Sequence, residues 1–303
     1  MSQSTLTLRL IVACGGCAVI NIFSVDVEEI FHAEYTRRRQ VKTSFFRTPK
    51  NIRYTLDFLD DQNITATFFV VGEIAAIFPE IFDMIKAKGH EIAFHGWSHR
   101  LLRELDVDSF RQELRSFRDI CSDCVGYRAP SFSLNNNTKW SLNVLEEESF
   151  RYDSSLFPVA TPLYGVTCAP IKPYKPSMID ICREDVSTRI YEFPVAVSTF
   201  ARLRIPIAGG FWLRLLPAAF IRSGIDKLNR KGIPAVVYLH SWELDPETPR
   251  FDLGPLANFA TYHNLAEARE KMAAVLHEHS FTSFVDYLNR YEHSLSEGSD
   301  FWR

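Results

Sequence analysis

With 303 residues, 46% of them hydrophobic, the chain has enough apolar mass for two domains or one large α/β barrel. A formal charge of −3 and scattered basic residues exclude the basic stripe that nucleic acid would need. The one short basic run, Arg37-Arg38-Arg39, reads as a solvated helix face.

In chain order, Arg9 first precedes an apolar stretch from Leu10 to Phe23 with the look of a signal-peptide core. It runs straight into Ser24-Val25-Asp26-Val27-Glu28-Glu29, so Ile20 to Val25 reads as the first core strand, and the uninterrupted part is too short to span a bilayer. The expectation is a cytoplasmic protein without stable membrane insertion, with residues 1–19 a loosely structured extension. The alternative is export, with that stretch as a leader.

Pro49 to Asp61 forms an amphipathic helix, with Pro49 at its start and Ile52, Leu56 and Leu59 on one face. Thr65 to Val71 is a β-branched and aromatic run suited to a strand buried on both faces. A helix from Pro79 to Lys88 ends at Gly89. Strand Glu91 to Phe94 then delivers His95, and a helix over Ser109 to Cys121, a short strand and turn at Gly126 to Pro130 and a helix at Trp140 to Glu148 follow. From 157 to 206, prolines at 158, 162, 170, 173, 176 and 194 mark a loop-rich stretch of loops and short strands covering one end of a barrel. Regularity resumes with helix Pro217 to Lys231, strand Ala235 to Leu239 and a final helix from Leu265 to His277. The organisation is one domain over 20–295 with a tail at 296–303, and alternating strands and helices imply an α/β fold.

Six cysteines include the pairs Cys14/Cys17 and Cys121/Cys124, with Cys168 and Cys182 apart. The simplest reading is small buried thiols in a reducing compartment.

Asp26, His95, Arg128 and His240 each fall just after an apolar strand, where α/β active sites gather. His95 and His99, four residues apart, would share one face of a helical turn and reach one metal ion. Two histidines and a carboxylate leave coordination positions open, as in catalytic metal sites. A second carboxylate would then serve as base and a distant histidine as acid, with Asp26 and His240 the candidates. Arg128 would hold Asp26, and Asp153 would hold His240 and raise its pKa.

This ordered set resembles the polysaccharide deacetylases of the NodB-homology type, the family-4 carbohydrate esterases, through His95 to His99, Arg128-Ala129-Pro130 and Leu239-His240. Ser24 to Glu28, Phe31-His32, Gly126 to Ser133, His240 to Pro246 and Pro249-Arg250 further resemble deacetylases of exosortase-linked exopolysaccharide loci. The resemblance implies a distorted (β/α)7 barrel, a divalent metal, usually zinc, and removal of acetyl groups from N-acetylhexosamine units of a carbohydrate. It departs from the family where Val27 separates Asp26 from Glu28, which leaves Asp26 as base and Glu28 as third ligand, with Glu29 a lesser substitute. Ser131 stands where the family has tyrosine, and its backbone N–H would take the oxyanion role. His32, Trp242 and Glu243 are candidates for lining the substrate groove, and Phe211 and Trp212 for stacking on sugars. Two other readings remain: a hydrolase of small cyclic amides or formamido sugars, and a carbohydrate-binding protein without catalysis.

Overall fold

The computed structural model describes residues 19–38, 46–201 and 203–296. Residues 1–18 of the N-terminal extension, with Cys14/Cys17, Arg39 and residues 297–303 of the tail lie outside them. In chain order the elements are β1 (Asn21–Val27), α1 (Glu34–Arg38), α2 (Thr48–Gln62), β2 (Thr67–Val70), α3 (Gly72–Ile77), α4 (Glu80–Ala87), β3 (Glu91–Phe94), α5 (Val107–Ile120), β4 (Gly126–Tyr127), α6 (Trp140–Glu147) and β5 (Tyr152–Asp153). They continue with β6 (Tyr191–Glu192), β7 (Val197–Phe200), β8 (Leu203–Pro206), α7 (Gly210–Leu215), α8 (Ala218–Asn229), β9 (Val236–His240), α9 (Pro255–Tyr262), α10 (Ala268–Leu276), β10 (Phe281–Thr282) and α11 (Phe284–Ser296).

Seven parallel strands curl into a half-barrel in the order β9-β1-β2-β3-β4-β5-β6, with β10 beside the start of β1. Between β6 and β9 a backbone bond from Ala196 N to Val236 O (3.0 Å) replaces strand pairing. All seven residues of β1 are buried, as a strand covered on both faces requires. Between helices and sheet lies the main core, including Phe58, Phe68, Phe94, Phe110 and Phe117. A second cluster of Phe69, Tyr152, Phe193 and Phe284 fills the barrel interior and its lower end.

Local chemistry sets the helix ends. Pro49 opens α2 and Asn63, at φ 53°, closes it in the left-handed conformation. Asp106 caps α5 by accepting from Ser109 N at 2.8 Å. Glu29 accepts from Arg47 N, Thr48 N and the Thr48 hydroxyl, so it serves the start of α2 and not the metal-binding face.

The loop-rich stretch contains two short strands, β7 and β8, paired as an antiparallel hairpin. One expectation needs correction: the stretch carries a disulfide between Cys168 and Cys182, against the reading of all cysteines as free thiols. Cys121 and Cys124 are buried and free. No helix among the described residues is long and apolar enough to cross a membrane.

Candidate active site

The parallel register aligns Asp26 on β1 with His240 on β9, and both strands point their carboxyl ends at one cleft of about 340 Å³. Asp26, Glu28, His95, His99, Ser131, His240 and Trp242 all line it. Glu28 lies just past the end of β1, two residues from Asp26.

His95 and His99 do meet, but not on a helix. They bracket a loop after β3 in which Gly96 has φ 74° and His99 φ 56°. The loop is docked by Gly72 N to Gly96 O (3.0 Å) and Glu73 N to Trp97 O (2.8 Å) at the start of α3. From α5, Glu113 accepts from Trp97 N at 3.1 Å and pairs with Arg100. Gly72 must lack a side chain, because a Cβ there would sit 2.6 Å from the Trp97 ring.

Ligating atoms of Glu28, His95 and His99 lie within 4.8 Å of one another, all on buried residues. Glu28 Oε2 is 2.7 Å from His99 Nε2 and 3.9 Å from His95 Nε2. His95 Nδ1 is 2.9 Å from the Arg128 carbonyl, which fixes the tautomer with Nε2 unprotonated and turned to Glu28. His99 Nδ1 is buried with no partner among the described residues. The Glu28 carboxylate is opposed there by imidazoles and the Trp242 indole N–H (3.5 Å), with no Arg or Lys pair among the described residues. Burial acts to raise its pKa, yet the charges of His99 and His240 pull it well below the usual carboxylate range. This donor set, two imidazoles and a buried carboxylate, fits a divalent cation.

Arg128 is fully buried inside the barrel. Its Nη1 donates to Asp26 Oδ1 at 2.6 Å and to Ser24 Oγ at 3.0 Å, while Nε and Nη2 reach the Ser154 carbonyl and hydroxyl. The guanidinium lies 4.1 Å from the centre of the Phe69 ring, which closes its underside. Asp26 therefore belongs to Arg128, and Glu28 to the histidines.

Asp153 and His240 are not partners. Asp153 accepts from the Ser155 hydroxyl and shares a buried hydrogen bond with Glu192; burial raises its pKa to about 6. The carboxylate on His240 comes from Glu243, three residues along, whose Oε2 accepts from His240 N (2.9 Å) and faces Nδ1 (3.1 Å). Against the lowering effect of burial, Glu243 and Glu28 raise the His240 pKa to about 9. Glu243 is itself held low, at about 2, against its own burial, by Arg214 and His240. Arg214 Nε donates to Glu243 Oε1 at 2.7 Å, and its remaining nitrogens go to the carbonyls of His263 (2.7 Å) and Ala260 (3.0 Å). Arg214 gives no signal in the sequence, whereas Glu243 could be found from its i,i+3 spacing to His240 in a turn.

Trp242 stacks on His240 with centroids 5.4 Å apart and planes 16° from parallel. His32 stacks behind His99 (5.9 Å, 21°) and is buried, so it backs the site and does not line it. Ser131 and Phe132 hold left-handed backbones at φ 51° and 48°, an outlier pair on the cleft floor. Gly210 brings the start of α7 so close to His240 that a Cβ would lie 3.0 Å from Cε1.

The sequence family described as polysaccharide deacetylase matches residues 36–148. The chain carries a polysaccharide deacetylase domain. A domain of unknown function, DUF3473, matches residues 154–289. The chain is 37% identical over 101 residues to a peptidoglycan-N-acetylglucosamine deacetylase of Bacillus cereus, covering 31% of this chain and 35% of that protein. It is 34% identical over 77 residues to chitin deacetylase 1 of Cryptococcus neoformans, covering 25% and 16%. These matches thus span about a third or less of the relatives' length. A Mycobacterium smegmatis crystal structure assigned to the polysaccharide deacetylases superposes with a TM-score of 0.55 at 21% identity over 90% of both chains. The deacetylase domain and this neighbour agree on a (β/α)7-type half-barrel.

Proposed function

We propose that the chain is a metal-dependent hydrolase that removes N-acetyl groups from acetamido sugars of a carbohydrate, as the deacetylase names of its relatives suggest. The observation that carries this reading is the Glu28-His95-His99 cluster set between two oppositely prepared groups, Asp26 on Arg128 and His240 on Glu243. A divalent ion held by that cluster, most simply zinc, would polarise the amide carbonyl and make water acidic near neutral pH. Asp26, oriented by Arg128, takes the proton of the attacking water. His240, oriented by Glu243, gives a proton to the leaving amine nitrogen. The Ser131 N–H, presented by its left-handed turn, donates to the developing oxyanion.

Acetate release from acetylated glucosamine oligomers tests this, run with purified, metal-stripped and zinc-restored protein. Release lost on stripping and regained with zinc is expected. Bound metal without release would redirect the reading to another amide, and neither metal nor release would favour the binding-protein alternative. An exopolysaccharide substrate, in the manner of exosortase-linked loci, is part of the proposal. For the compartment, the Cys168–Cys182 bond supports the exported alternative over the cytoplasmic one, because disulfides persist where the surroundings oxidise. Thiol labelling of both cysteines in protein isolated without reductant would count against export.

A further inference from the structure

We propose that the acetamido sugar on which this site acts carries an apolar chain, and that the chain lies along the wall formed by α7 and α9. The inference rests on the deacetylase reading and narrows its substrate. Beyond His240, the cleft wall is made by Phe211, Trp212, Leu256 and Phe259. Leu256 is 76% exposed and Phe259 46%, and they lie together on one cleft wall, where an apolar patch points to a ligand and scattered single groups would not. The Phe211 ring meets Trp212 at 62° and Phe259 at 71°, so the rings present edges and ridges. A pyranose stacks on a flat ring face, and Leu256 has none.

The charge distribution points the same way. Among the described residues, the charged side chains lining this cleft, apart from its histidines, are Asp26, Glu28, Glu34 and Arg214. Asp26 and Glu28 belong to the reacting centre, and Arg214 is spent on Glu243 and two carbonyls. On the α7–α9 side the cleft offers, among the described residues, no further charged group, and its polar side-chain groups there are the Thr261 hydroxyl, on a buried residue, and the Trp212 indole N–H. Across the shared residues Glu34, Ser131, Phe132 and Thr161 to Tyr164 lies a second cavity of about 300 Å³, where Arg103, Ser133 and Asn135 supply further polar groups. The two cavities differ in polarity on either side of one reacting centre. A uniform polysaccharide would present the same hydroxyls to both, whereas a sugar with hydrocarbon on one side and hydroxyls on the other matches each.

The test compares methyl and octyl β-N-acetylglucosaminides, the latter below its micelle concentration, alongside acetylated chito-oligomers. Acetate release gives kcat/KM, and calorimetry gives binding independently of turnover. Each methylene buried on the wall is worth about fourfold in affinity, so the octyl compound is expected to gain at least about tenfold over methyl in both readouts. Replacing both exposed side chains, Leu256→Ser with Phe259→Ser, should collapse the octyl-to-methyl ratio towards one. Equal kcat/KM and equal binding for octyl and methyl, with both deacetylated, would overturn the inference and leave the deacetylase reading standing. Chain-length gains on chito-oligomers that exceed the octyl gain and vanish in the double variant would also overturn it, making the wall a sugar platform. Octyl binding that depends on Leu256 and Phe259 without acetate release from any compound would uphold the wall and sink the deacetylase reading.

Discussion

Replacing Glu243 by Gln separates two accounts of which carboxylate serves His240. One Glu243 oxygen accepts from His240 N and faces Nδ1, and the other accepts from Arg214 Nε at 2.7 Å. An amide has one acceptor oxygen, so whichever way the substituted side chain turns, its NH₂ faces a donor. One hydrogen bond to a charged group is lost, worth about 1.5–3 kcal/mol. If that loss falls on the step in which His240 gives its proton, kcat drops about 10- to 150-fold. Metal content should not change, since Glu243 is not in the Glu28-His95-His99 cluster. Breaking the buried pair with Arg214 will also cost stability, by about 3–5 kcal/mol at most. Glu243→Gln with Arg214→Met removes both charges and should recover part of that stability without recovering kcat. Asp153→Asn is the control: Asp153 is bonded to Ser155 and Glu192 and not to His240, so its effect should fall on thermal stability. The assay is steady-state acetate release with metal analysis and a thermal melt on each variant. An Asp153→Asn enzyme that keeps its metal and fold yet loses as much kcat as Glu243→Gln would refute this assignment.

Glu28→Gln should lose stoichiometric metal, whereas Asp26→Asn should keep metal and lose turnover by about 10²–10⁴-fold; equal metal loss in both would mean that both carboxylates coordinate. Burial raises the Glu91 pKa from 4.5 to about 7, against bonds from Thr67, Val285 N and the Tyr152 hydroxyl. The folded state therefore binds that proton more tightly: the stabilisation is complete below pH 4.5 and is lost as pH rises through 7. Its upper bound is about 3 kcal/mol. Urea midpoints between pH 5 and 8 should fall more for wild type than for Glu91→Gln, and parallel profiles would show that Glu91 does not titrate in this range. Cys168 and Cys182 are 14 residues apart, so replacing both by Ser should cost about 3 kcal/mol without reductant. Dithiothreitol should lower the melting temperature of wild type and leave the double variant unmoved.

The strands of the first half are legible because parallel strands buried on both faces read as unbroken apolar runs, and Glu91 to Phe94 is found with its predicted bounds. Short elements with weak signals are not: α3 begins at a glycine, and α9 opens at Pro255 after Gly254 and keeps Leu256 and Phe259 outside. α11 does carry a pattern, with Phe284, Tyr287 and Leu288 buried at helical spacing, although the sequence reading places the last helix at Leu265 to His277. The histidine pair is recognisable, but through the wrong local geometry. Spacing of four suggests a helical turn, whereas here Gly96 and the left-handed His99 backbone fold the pair together, with α3 and Glu113 as supports that no spacing could reveal. Asp153 is misplaced by sequence because pairing at the carboxyl ends of strands depends on side-chain direction. Arg214 approaches Glu243 from α7, 29 residues earlier in the chain, a contact that only the fold brings about.

The two matched segments, 36–148 and 154–289, do not correspond to two separable machines. The first brings His95, His99, Arg128 and Ser131, and the second brings His240, Glu243 and Arg214. Asp26 and Glu28 precede both, on and just beyond a strand that pairs with β2 from one segment and β9 from the other. Arg128 extends the union across the boundary by donating to both the carbonyl and the hydroxyl of Ser154 while it holds Asp26. Separating the segments would unpair β1 on one side, leave Arg128 buried with half its acceptors missing, and part Asp26 from His240. The segment of unknown function is therefore part of the same cleft: it supplies His240, the proton donor of the reaction proposed above, the carboxylate and arginine that hold it, and the apolar wall beside it.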